Sequence, residues 1–381
     1  ERTIEISRYA HRTTGPGTLT TSLVAVQTDV RRNGELVVGY GFSSVGRYGQ
    51  GGLIRERFGP RLIEADGGDL QSEDGTNIDP TRAWDAMMAH EKPGGHGERC
   101  VAVGTLDMAI WDAAAKIADL PLHQFLAQHL GKNTSARAVP VYASGGYRFR
   151  EDDQARLVEE LTAFANAGFT RVKMKVGSGA LLDDLERVEV ARDCLPDDIE
   201  LAVDAMNAYQ GEEAVSAAEA LRSLELAWFE DVCDPHDFAT QRAVTAIYEG
   251  PLAAGEALFS AGEARLLADH GGMRPDRDKL VFDPVHTYGL PGYLRIVGVM
   301  TEAGWPLEAF WPHGGHLFSL HLASAMGLAG AEVTPRAFAP FNVPPSGAIL
   351  EEGTIALPTG PGIGFESQES TKREFHRLIG T

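Results

Sequence analysis

Short apolar runs alternate with helical stretches along the second half of the chain, from about residue 139 onward. Most of them are separated by a stretch of helical periodicity, such as DQARLVEELTAFANAG or EEAVSAAEALRSL. The eight apolar runs are VPVYASGG, RVKMKVG, LAVDA, LAWFED, PLAAGE, LVFDP, EAFWPH and GAEV. This alternation is typical of βα units that build a parallel sheet. Eight repeats predict an α/β fold of the (β/α)8 type, a TIM barrel.

The first 135 residues follow another pattern. Two alternating runs, TTSLVAVQTDV and ELVVGYGFSSV, predict β-strands, and the glycine-rich stretch GRYGQGG and helical patterns such as VGTLDMAIWDAAAKIA come after them. Strands first and helices afterwards indicate an α+β domain over residues 1–135, ahead of a barrel over 136–345. An open doubly wound sheet is the competing fold, but no G-x-G-x-x-G turn follows a first strand.

Composition narrows the functional classes. The chain has 381 residues, of which 43% are apolar and 23% charged, as in a soluble globular protein. A net charge of −20 argues against nucleic acid or an anionic membrane as partner, because both would be repelled. The three cysteines show no motif spacing and are odd in number, which favours a reducing compartment. Without an apolar run of membrane-spanning length or a signal-peptide pattern, we expect a cytoplasmic location.

Three of the apolar runs end in acids at equal spacing. Glu230 lies 26 residues after Asp204, and Glu256 lies 26 residues after Glu230. Because the C-terminal ends of barrel strands converge on one mouth, this spacing predicts three neighbouring carboxylates. Such carboxylates repel one another unless a cation lies between them, and an all-oxygen set favours a hard cation, Mg²⁺. The alternative is that each acid caps the following helix or pairs with an arginine.

The run RVKMKVG places two lysines two positions apart in a chain that has only seven. Strand side chains alternate, so Lys173 and Lys175 point to the same face. If that face is the barrel interior, each ammonium group favours the neutral form of the other, and one lysine can act as a base near neutral pH. The alternative is a pair of surface lysines, but helices cover the outer face of a barrel strand.

The later runs end at Asp283, His313 and Glu332. Asp283 and His313 end neighbouring strands, so the carboxylate can hold one imidazole nitrogen, which fixes the tautomer and raises the basicity of the ring. His316 resembles the first residue of a helix. A zinc pair formed by the two histidines is the alternative, although it lacks thiolate or further histidine ligands.

These residues, taken in order, resemble the mandelate racemase subgroup of the enolase superfamily. The stretches that carry the resemblance run through nearly the whole chain and are most similar to the D-tartrate dehydratase branch: GRYGQGGLIRERF, EKPGGHGER, VKMKVG, GGMRPDRD, PHGGH and GPGIGFE. The resemblance implies that residues 1–135 form a capping domain over the barrel mouth, completed by the C-terminal segment 346–381.

The resemblance also implies roles for the metal site and the lysines. One Mg²⁺ per active site is expected to bind to Asp204, Glu230 and Glu256. Lys175 would be the catalytic base. Lys173 would hold the substrate carboxylate and depress the pKa of Lys175.

On the opposite face of the substrate, His313, oriented by Asp283, is implied as the second acid or base. Glu332 matches a position that hydrogen-bonds the substrate carboxylate. Lys92, in a loop of the capping domain, is implied to reach the substrate, whereas the alternative for Lys92 is a solvated loop lysine.

The activity that follows from the resemblance is Mg²⁺-dependent dehydration of an acid sugar or hydroxy diacid to a 2-keto acid. A racemase or epimerase that uses the same Lys/His pair, and a barrel that binds metal and sugar acid without turnover, are the alternatives. The partner is a small-molecule hydroxy acid, and a homo-oligomer is expected. Met206 and Ala257 stand where the family usually has asparagines that help to place the substrate.

Overall fold

The computed structural model describes residues 1–7, 18–132, 138–344 and 350–380. Its N-terminal region is a three-stranded antiparallel sheet in the order β1-β2-β3. The strands are β1 (Arg2–Ser7), β2 (Thr18–Arg32) and β3 (Glu35–Phe42). Asn33 and Gly34, both with positive φ, form the two-residue turn between β2 and β3, as Asn-Gly typically does in hairpins. Both predicted strand runs are therefore confirmed.

Five helices follow this sheet, and the longest lies between the sheet and the barrel. They are α1 (Gly51–Leu53), α2 (Gly59–Glu64, after a π-helical turn over Ile54–Phe58), α3 (Pro80–Met88), α4 (Glu98–Ile117) and α5 (Leu122–His129). Glycines allow the backbone of α4 to contact the backbone of β3 on one side and that of a barrel loop on the other. A Cβ at Gly41 would lie 2.4 Å from the carbonyl oxygen of Thr105, and a Cβ at Gly104 would lie 2.0 Å from that of Val285. The N-terminal sheet and α4, which together form the capping layer, are therefore packed directly onto a loop of the barrel.

The second half of the chain forms the predicted parallel barrel. Its strands are β4 (Ala138–Ser144), β5 (Arg171–Lys175), β6 (Glu200–Asp204), β7 (Phe229–Glu230), β8 (Leu252–Ala254), β9 (Lys279–Leu280) and β10 (Ala331–Val333). They pair in the order β10-β4-β5-β6-β7-β8-β9. The seventh predicted run closes the ring through hydrogen bonds instead of a full strand. Trp311 N donates to Leu280 O at 2.8 Å, and Glu332 N donates to Pro312 O at 3.1 Å.

Helices cover the outside of this barrel. They are α6 (Asp153–Asn166), α7 (Leu181–Cys194), α8 (Gly211–Leu221), α9 (Phe238–Ile247), α10 (Ala261–His270), α11 (Leu290–Glu302) and α12 (Leu317–Met326). α6 buries Leu157, Leu161 and Phe164, the spacing of one helix face. Ser260 is the N-cap of α10, and its Oγ accepts from Glu263 N at 3.2 Å. None of the helices in the described part of the chain is long and apolar enough to span a membrane.

Aromatic rings fill the barrel below its mouth. Tyr142 packs edge-to-face on Trp228 at 4.9 Å between centroids, and Trp311 lies 5.9 Å from Tyr142. All three rings belong to one buried cluster inside the barrel. This layer closes the interior to water from below, so polar side chains just above it lie in a dry environment.

The C-terminal segment runs back from the barrel to the N-terminal sheet. β11 (Thr354–Ala356) pairs antiparallel with β4, and α13 (Glu369–Ile379) then packs beside β2 and β3. The Phe375 ring of α13 stacks on Tyr40 with 4.8 Å between centroids. The predicted domain boundaries near 135 and 345 lie outside the described residues.

A buried ion pair joins α4, β3 and the C-terminal segment. The Asp112 carboxylate is fully buried, accepts from Tyr40 N at 2.8 Å and Ile363 N at 2.7 Å, and lies 2.6 Å from Lys116 Nζ. Lys116 also contacts Glu366. Burial raises the pKa of Asp112 to about 6 against the opposing effect of Lys116.

We expect Asp112→Ala to lower the free energy of unfolding by about 3–5 kcal/mol, because it leaves two backbone donors without their acceptor and removes one of the two carboxylates beside a mostly buried ammonium group. Urea unfolding measures the change. Asp85→Ala, which removes an exposed acid from α3, serves as the control and should change stability by less than about 0.5 kcal/mol. Equal losses in the two variants would contradict the role given to the buried pair.

A buried histidine pair predicts how stability depends on pH. His321 Nδ1 accepts from the His123 backbone N at 3.0 Å, and His321 Nε2 lies 2.9 Å from Ile363 O, so the ring is held neutral. Burial lowers the pKa of His321 to about 3.

Below the unfolded-state pKa of about 6.5, the unfolded chain therefore takes up a proton that the folded chain does not. Stability should fall by up to about 1.4 kcal/mol per pH unit from this group as the pH drops from near 6.5 toward the folded-state pKa. Urea unfolding at pH 7.5 and pH 5 should show a smaller loss for His321→Gln than for the wild type. Identical losses would show that this ring does not titrate as described.

Candidate active site

Strand β5 places both lysines inside the barrel. Lys173 is fully buried, and its Nζ contacts Glu230 and lies 3.3 Å from Asp204 Oδ2 and 3.2 Å from Glu332 Oε1. Lys175 Nζ contacts Asp204 Oδ2. The alternative of a solvated surface pair is therefore wrong for this strand. Lysine and carboxylate side chains form one continuous network at the mouth.

The strand register explains why these side chains meet. Lys175 is the parallel partner of Asp204, and Asp204 is the partner of Glu230 on the next strand. Each carboxylate is also oriented by a hydrogen bond from a residue two positions away in the sequence. Asp204 Oδ1 accepts from Met206 N at 2.7 Å, and Glu230 Oε2 accepts from Trp228 Nε1 at 2.7 Å.

The three equally spaced acids are close enough to share one cation. Asp204, Glu230 and Glu256 each offer an oxygen, and these oxygens lie within 4.8 Å of one another. Glu256 is the outermost, with 24% of its side chain exposed, and its buried Oε2 has no hydrogen-bond partner in the described part of the chain. His313 Nε2 lies 3.3 Å from this oxygen. An all-carboxylate set of this kind suits a hard divalent cation.

The charges around the mouth agree with that fit. Five carboxyl groups lie there beside three cationic groups, so the acidic groups outnumber the cationic groups by two. The carboxylates are those of Asp204, Glu230, Glu256, Asp283 and Glu332, and the cations are those of Lys173, Lys175 and His313. A sixth acid, Asp231, does not add to this excess, because burial and the neighbouring Glu256 raise its pKa well above the usual range. The donor set of this site therefore fits Mg²⁺.

Burial also raises the pKa of Glu230 to about 7, although Lys173 opposes this shift, and the charge of Asp204 adds to it. A cation between these two acids would relieve their repulsion.

Lys173 lowers the pKa of Lys175, as expected, but the net shift of that pKa is upward. Burial lowers the pKa of Lys175, and Lys173 lowers it further, but contact with Asp204 outweighs both and raises the pKa above its ordinary value. The lysine repulsion exists as expected. It is smaller than the attraction between Lys175 and Asp204, a contact that the sequence alone did not predict.

Asp283 and His313 form the second acid–base group of the mouth. His313 Nδ1 lies 2.9 Å from Asp283 Oδ2, and that oxygen also accepts from Ser44 Oγ at 2.8 Å. Asp283 Oδ1 accepts from Val285 N at 2.7 Å, which fixes the rotation of the carboxylate. The His313 ring is therefore oriented through Nδ1, and Nε2 faces the mouth.

Two carboxylates lie close to the Nε2 side of the His313 ring. Its Nε2 lies 3.3 Å from Glu256 Oε2 and 3.6 Å from Glu332 Oε2. Burial lowers the pKa of His313, but Glu256, Glu332 and Asp283 together raise it to about 10. The ring is therefore an imidazolium at neutral pH, ready to donate a proton.

Lys92, His316 and Asn207 provide no contact to the three equally spaced acids among the described residues. His316 nevertheless joins the Asp283 group, because its Nε2 lies 3.1 Å from Ser44 Oγ. Lys92 is exposed in the loop between α3 and α4, and no contact in the described residues joins it to the mouth. His316 is the N-cap of α12, with Nδ1 accepting from Ser319 N at 3.2 Å, which agrees with the predicted helix start. Asn207, next to Met206, turns away and donates to Cys233 O at 2.8 Å, so it does not replace the missing amide.

Several contributors to the site were missed from sequence. Ser44 lies 239 residues before the aspartate to which it donates, and no local pattern connects the two. Trp228 stands two residues before Glu230, and this same-face spacing on a strand was a signal that could have found it. His286 follows Asp283 by three residues in the same loop and is fully buried beside it.

The fold has counterparts among known proteins. Residues 156–371 match the family described as enolase C-terminal domain-like, which is more than half of the chain. The chain belongs to the enolase superfamily. The three equally spaced acids, both lysines, Asp283, His313 and Glu332 all lie inside the matched region.

The relatives of this enolase-superfamily member include enzymes of more than one reaction type. Arabinonate dehydratase of Saccharolobus solfataricus is 25% identical over 296 residues, 77% of each chain. The 3,6-anhydro-alpha-L-galactonate cycloisomerase of Streptomyces coelicolor is 28% identical over 287 residues, 74% of each. A crystal structure of a racemase from Streptomyces coelicolor A3(2) with bound magnesium aligns over 99% of both chains, with a TM-score of 0.75 and 22% identity, and shows the shared fold.

Proposed function

We propose that this protein is a Mg²⁺-dependent dehydratase of an acid sugar or hydroxy diacid, a hydro-lyase that forms a 2-keto acid. The observation that carries the proposal is the order of groups around the mouth. Lys175 ends β5, two of the acids end β6 and β7, and the third follows β8 by two residues. His313 follows the seventh run, which pairs with β9 at Trp311. A substrate held over the three acids therefore has a candidate base on one side and a candidate acid on the other.

The proposed steps assign one task to each side chain. The Lys173 ammonium binds the substrate carboxylate, and neutral Lys175 Nζ removes the α-proton, which leaves an ene-diolate. Bound Mg²⁺ would stabilise the charge that develops on the substrate and would draw the charge of Asp204 away from Lys175. Protonated His313 Nε2 then gives its proton to the departing 3-hydroxyl. Water leaves, and the enol product becomes the 2-keto acid.

Similarity and chemistry support this substrate class. One relative is named for dehydrating arabinonate, a sugar acid. The mouth holds two lysines in a chain of net charge −20, and these lysines provide the local cations that an anionic substrate needs. The stretches that resemble D-tartrate dehydratase make D-tartrate one candidate. Met206 and Ala257, in place of the usual asparagines, lead us to propose the class instead of that single compound.

A panel of aldonic and aldaric acids, D-tartrate included, tests the proposal. Each acid is incubated with enzyme and Mg²⁺, and the 2-keto acid is measured as its semicarbazone. We expect at least one substrate, with no product after treatment with a chelator and recovery when Mg²⁺ is restored. Absence of keto acid across the panel, with α-proton exchange present, would count against dehydration.

Racemisation or epimerisation is the second candidate, because proton removal by Lys175 and return by His313 on the other face would invert the α-carbon. The same incubations run in D2O separate the two reactions. A racemase gives the inverted acid with solvent deuterium and no keto acid. A barrel that only binds metal and sugar acid gives neither product nor exchange.

A further inference from the structure

His286 is a buried histidine that the proposed reaction does not use. Its residue is only 2% exposed, and neither ring nitrogen has a hydrogen-bond partner among the residues described. Its ring packs edge-to-face on Phe259 with 5.5 Å between centroids, and it lies 5.7 Å from the ring of His313. A buried imidazole with two unsatisfied nitrogens is unfavourable unless something else binds to it.

The nearest polar groups to this ring are those of Asp283 and His313. His286 Nε2 lies 3.6 Å from Asp283 Oδ2, which is too far for a hydrogen bond, and the same oxygen lies 2.9 Å from His313 Nδ1. The three side chains each offer a ligand atom, and these atoms lie within 4.8 Å of one another. Ligand atoms around a zinc ion with bonds near 2.0–2.1 Å are roughly 3 Å apart, so the observed separations need only small adjustments.

We propose that Asp283, His286 and His313 form a second metal site, distinct from the three-carboxylate site and selective for a nitrogen-preferring divalent ion such as Zn²⁺. Two imidazoles and one carboxylate are a ligand set of borderline transition metals, whereas Mg²⁺ prefers oxygen. The aspartate is already oriented for this task, because Val285 N holds its other oxygen at 2.7 Å.

A metal ion in this site would change the protonation state of His313. A metal on Nδ1 replaces the proton that this nitrogen shares with Asp283, so the ring could no longer be an imidazolium. If the proposed function is correct, Zn²⁺ would therefore inhibit dehydration while Mg²⁺ stays bound. The inhibition rests on the proposed function, but the binding of zinc does not.

Equilibrium dialysis of the full chain against micromolar Zn²⁺, with Mg²⁺ kept saturating, tests the binding. We expect one Zn²⁺ per chain for the wild type. His286→Leu and His286→Gln should each weaken zinc binding by at least about tenfold, because loss of a partner that only orients a ligand already costs about 10–100-fold. His236→Leu, which removes an exposed histidine paired with Glu263, should bind zinc like the wild type.

Glu256→Gln identifies which site holds the zinc, because it alters the three-carboxylate site and leaves the histidines intact. We expect it to retain the Zn²⁺. The proposal is overturned if the Mg²⁺-saturated wild type takes up no zinc, if both His286 variants bind it as tightly as the wild type, or if Glu256→Gln loses it. The proposed function is judged separately, by keto-acid formation with Mg²⁺ alone in the wild type and in His236→Leu, which should turn over alike.

Discussion

Replacing Lys175 by methionine is expected to lower turnover by roughly 10³- to 10⁴-fold, the upper range for loss of a positioned general base. Lys175 Nζ contacts Asp204 at the end of β5, and the Tyr147 ring lies 5.4 Å away. Lys173, the other lysine of this strand, does not take over, because its Nζ is already held by three carboxylates. Steady-state assay of keto acid with the best panel substrate measures the effect.

Two further variants test whether lost activity comes from the missing base, from the missing positive charge or from general damage to the enzyme. Lys175→Arg keeps a positive charge but cannot lose its proton, so it should be as inactive as the methionine variant. Lys279→Met changes a lysine at the opposite end of a barrel strand and should retain turnover within about twofold of the wild type. Normal dehydration by Lys175→Met or Lys175→Arg would end the assignment of Lys175 as the base.

The second large effect is expected for His313→Asn, which should abolish keto-acid formation but spare exchange of the α-proton. Elimination should fall by roughly 10²- to 10⁴-fold, because the 3-hydroxyl would leave without a proton donor. Exchange depends on Lys175, which lies on another strand and keeps its contact with Asp204. Proton NMR in D2O follows both processes in one sample.

The control for His313→Asn is Asp283→Asn, which leaves the imidazole in place but removes its carboxylate partner. It should lower elimination less than loss of the ring does. It should also shift the alkaline limb of the pH–rate profile to lower pH, because Asp283 raises the pKa of His313. Equal loss of exchange and elimination in His313→Asn would instead make His313 the residue that removes the α-proton. Keto acid at the wild-type rate would exclude it from the reaction.

Much of the fold could be predicted because its signals are periodic. The alternation of RVKMKVG correctly turns Lys173 and Lys175 to one face, and equal spacing correctly brings Asp204, Glu230 and Glu256 to one mouth. These patterns depend only on strand geometry and on the topology of parallel strands. The seventh run was harder to predict, because it closes the ring through hydrogen bonds at Trp311 without forming a strand.

The remainder depends on contacts that local sequence does not encode. The sign of the pKa shift at Lys175 follows from its contact with Asp204, which requires the register of two strands. Met206 and Asn207 both adopt positive φ, and this backbone turn, which the sequence did not indicate, directs the Asn207 amide away from the mouth. The hydrogen bond from Ser44 to Asp283 likewise depends on how the capping layer packs on the barrel.

The central claim is that three carboxylates from successive strands bind one divalent cation, and Mn²⁺ binding tests it most directly. Mn²⁺ accepts the same oxygen ligands as Mg²⁺, and the free ion is measured by its electron paramagnetic resonance signal. The competing account is that Lys173 and Lys175 alone neutralise these acids. We predict one Mn²⁺ per wild-type chain and at least about tenfold weaker binding by Glu256→Gln. A wild-type chain that binds no Mn²⁺, or a variant that binds it equally well, would contradict the account.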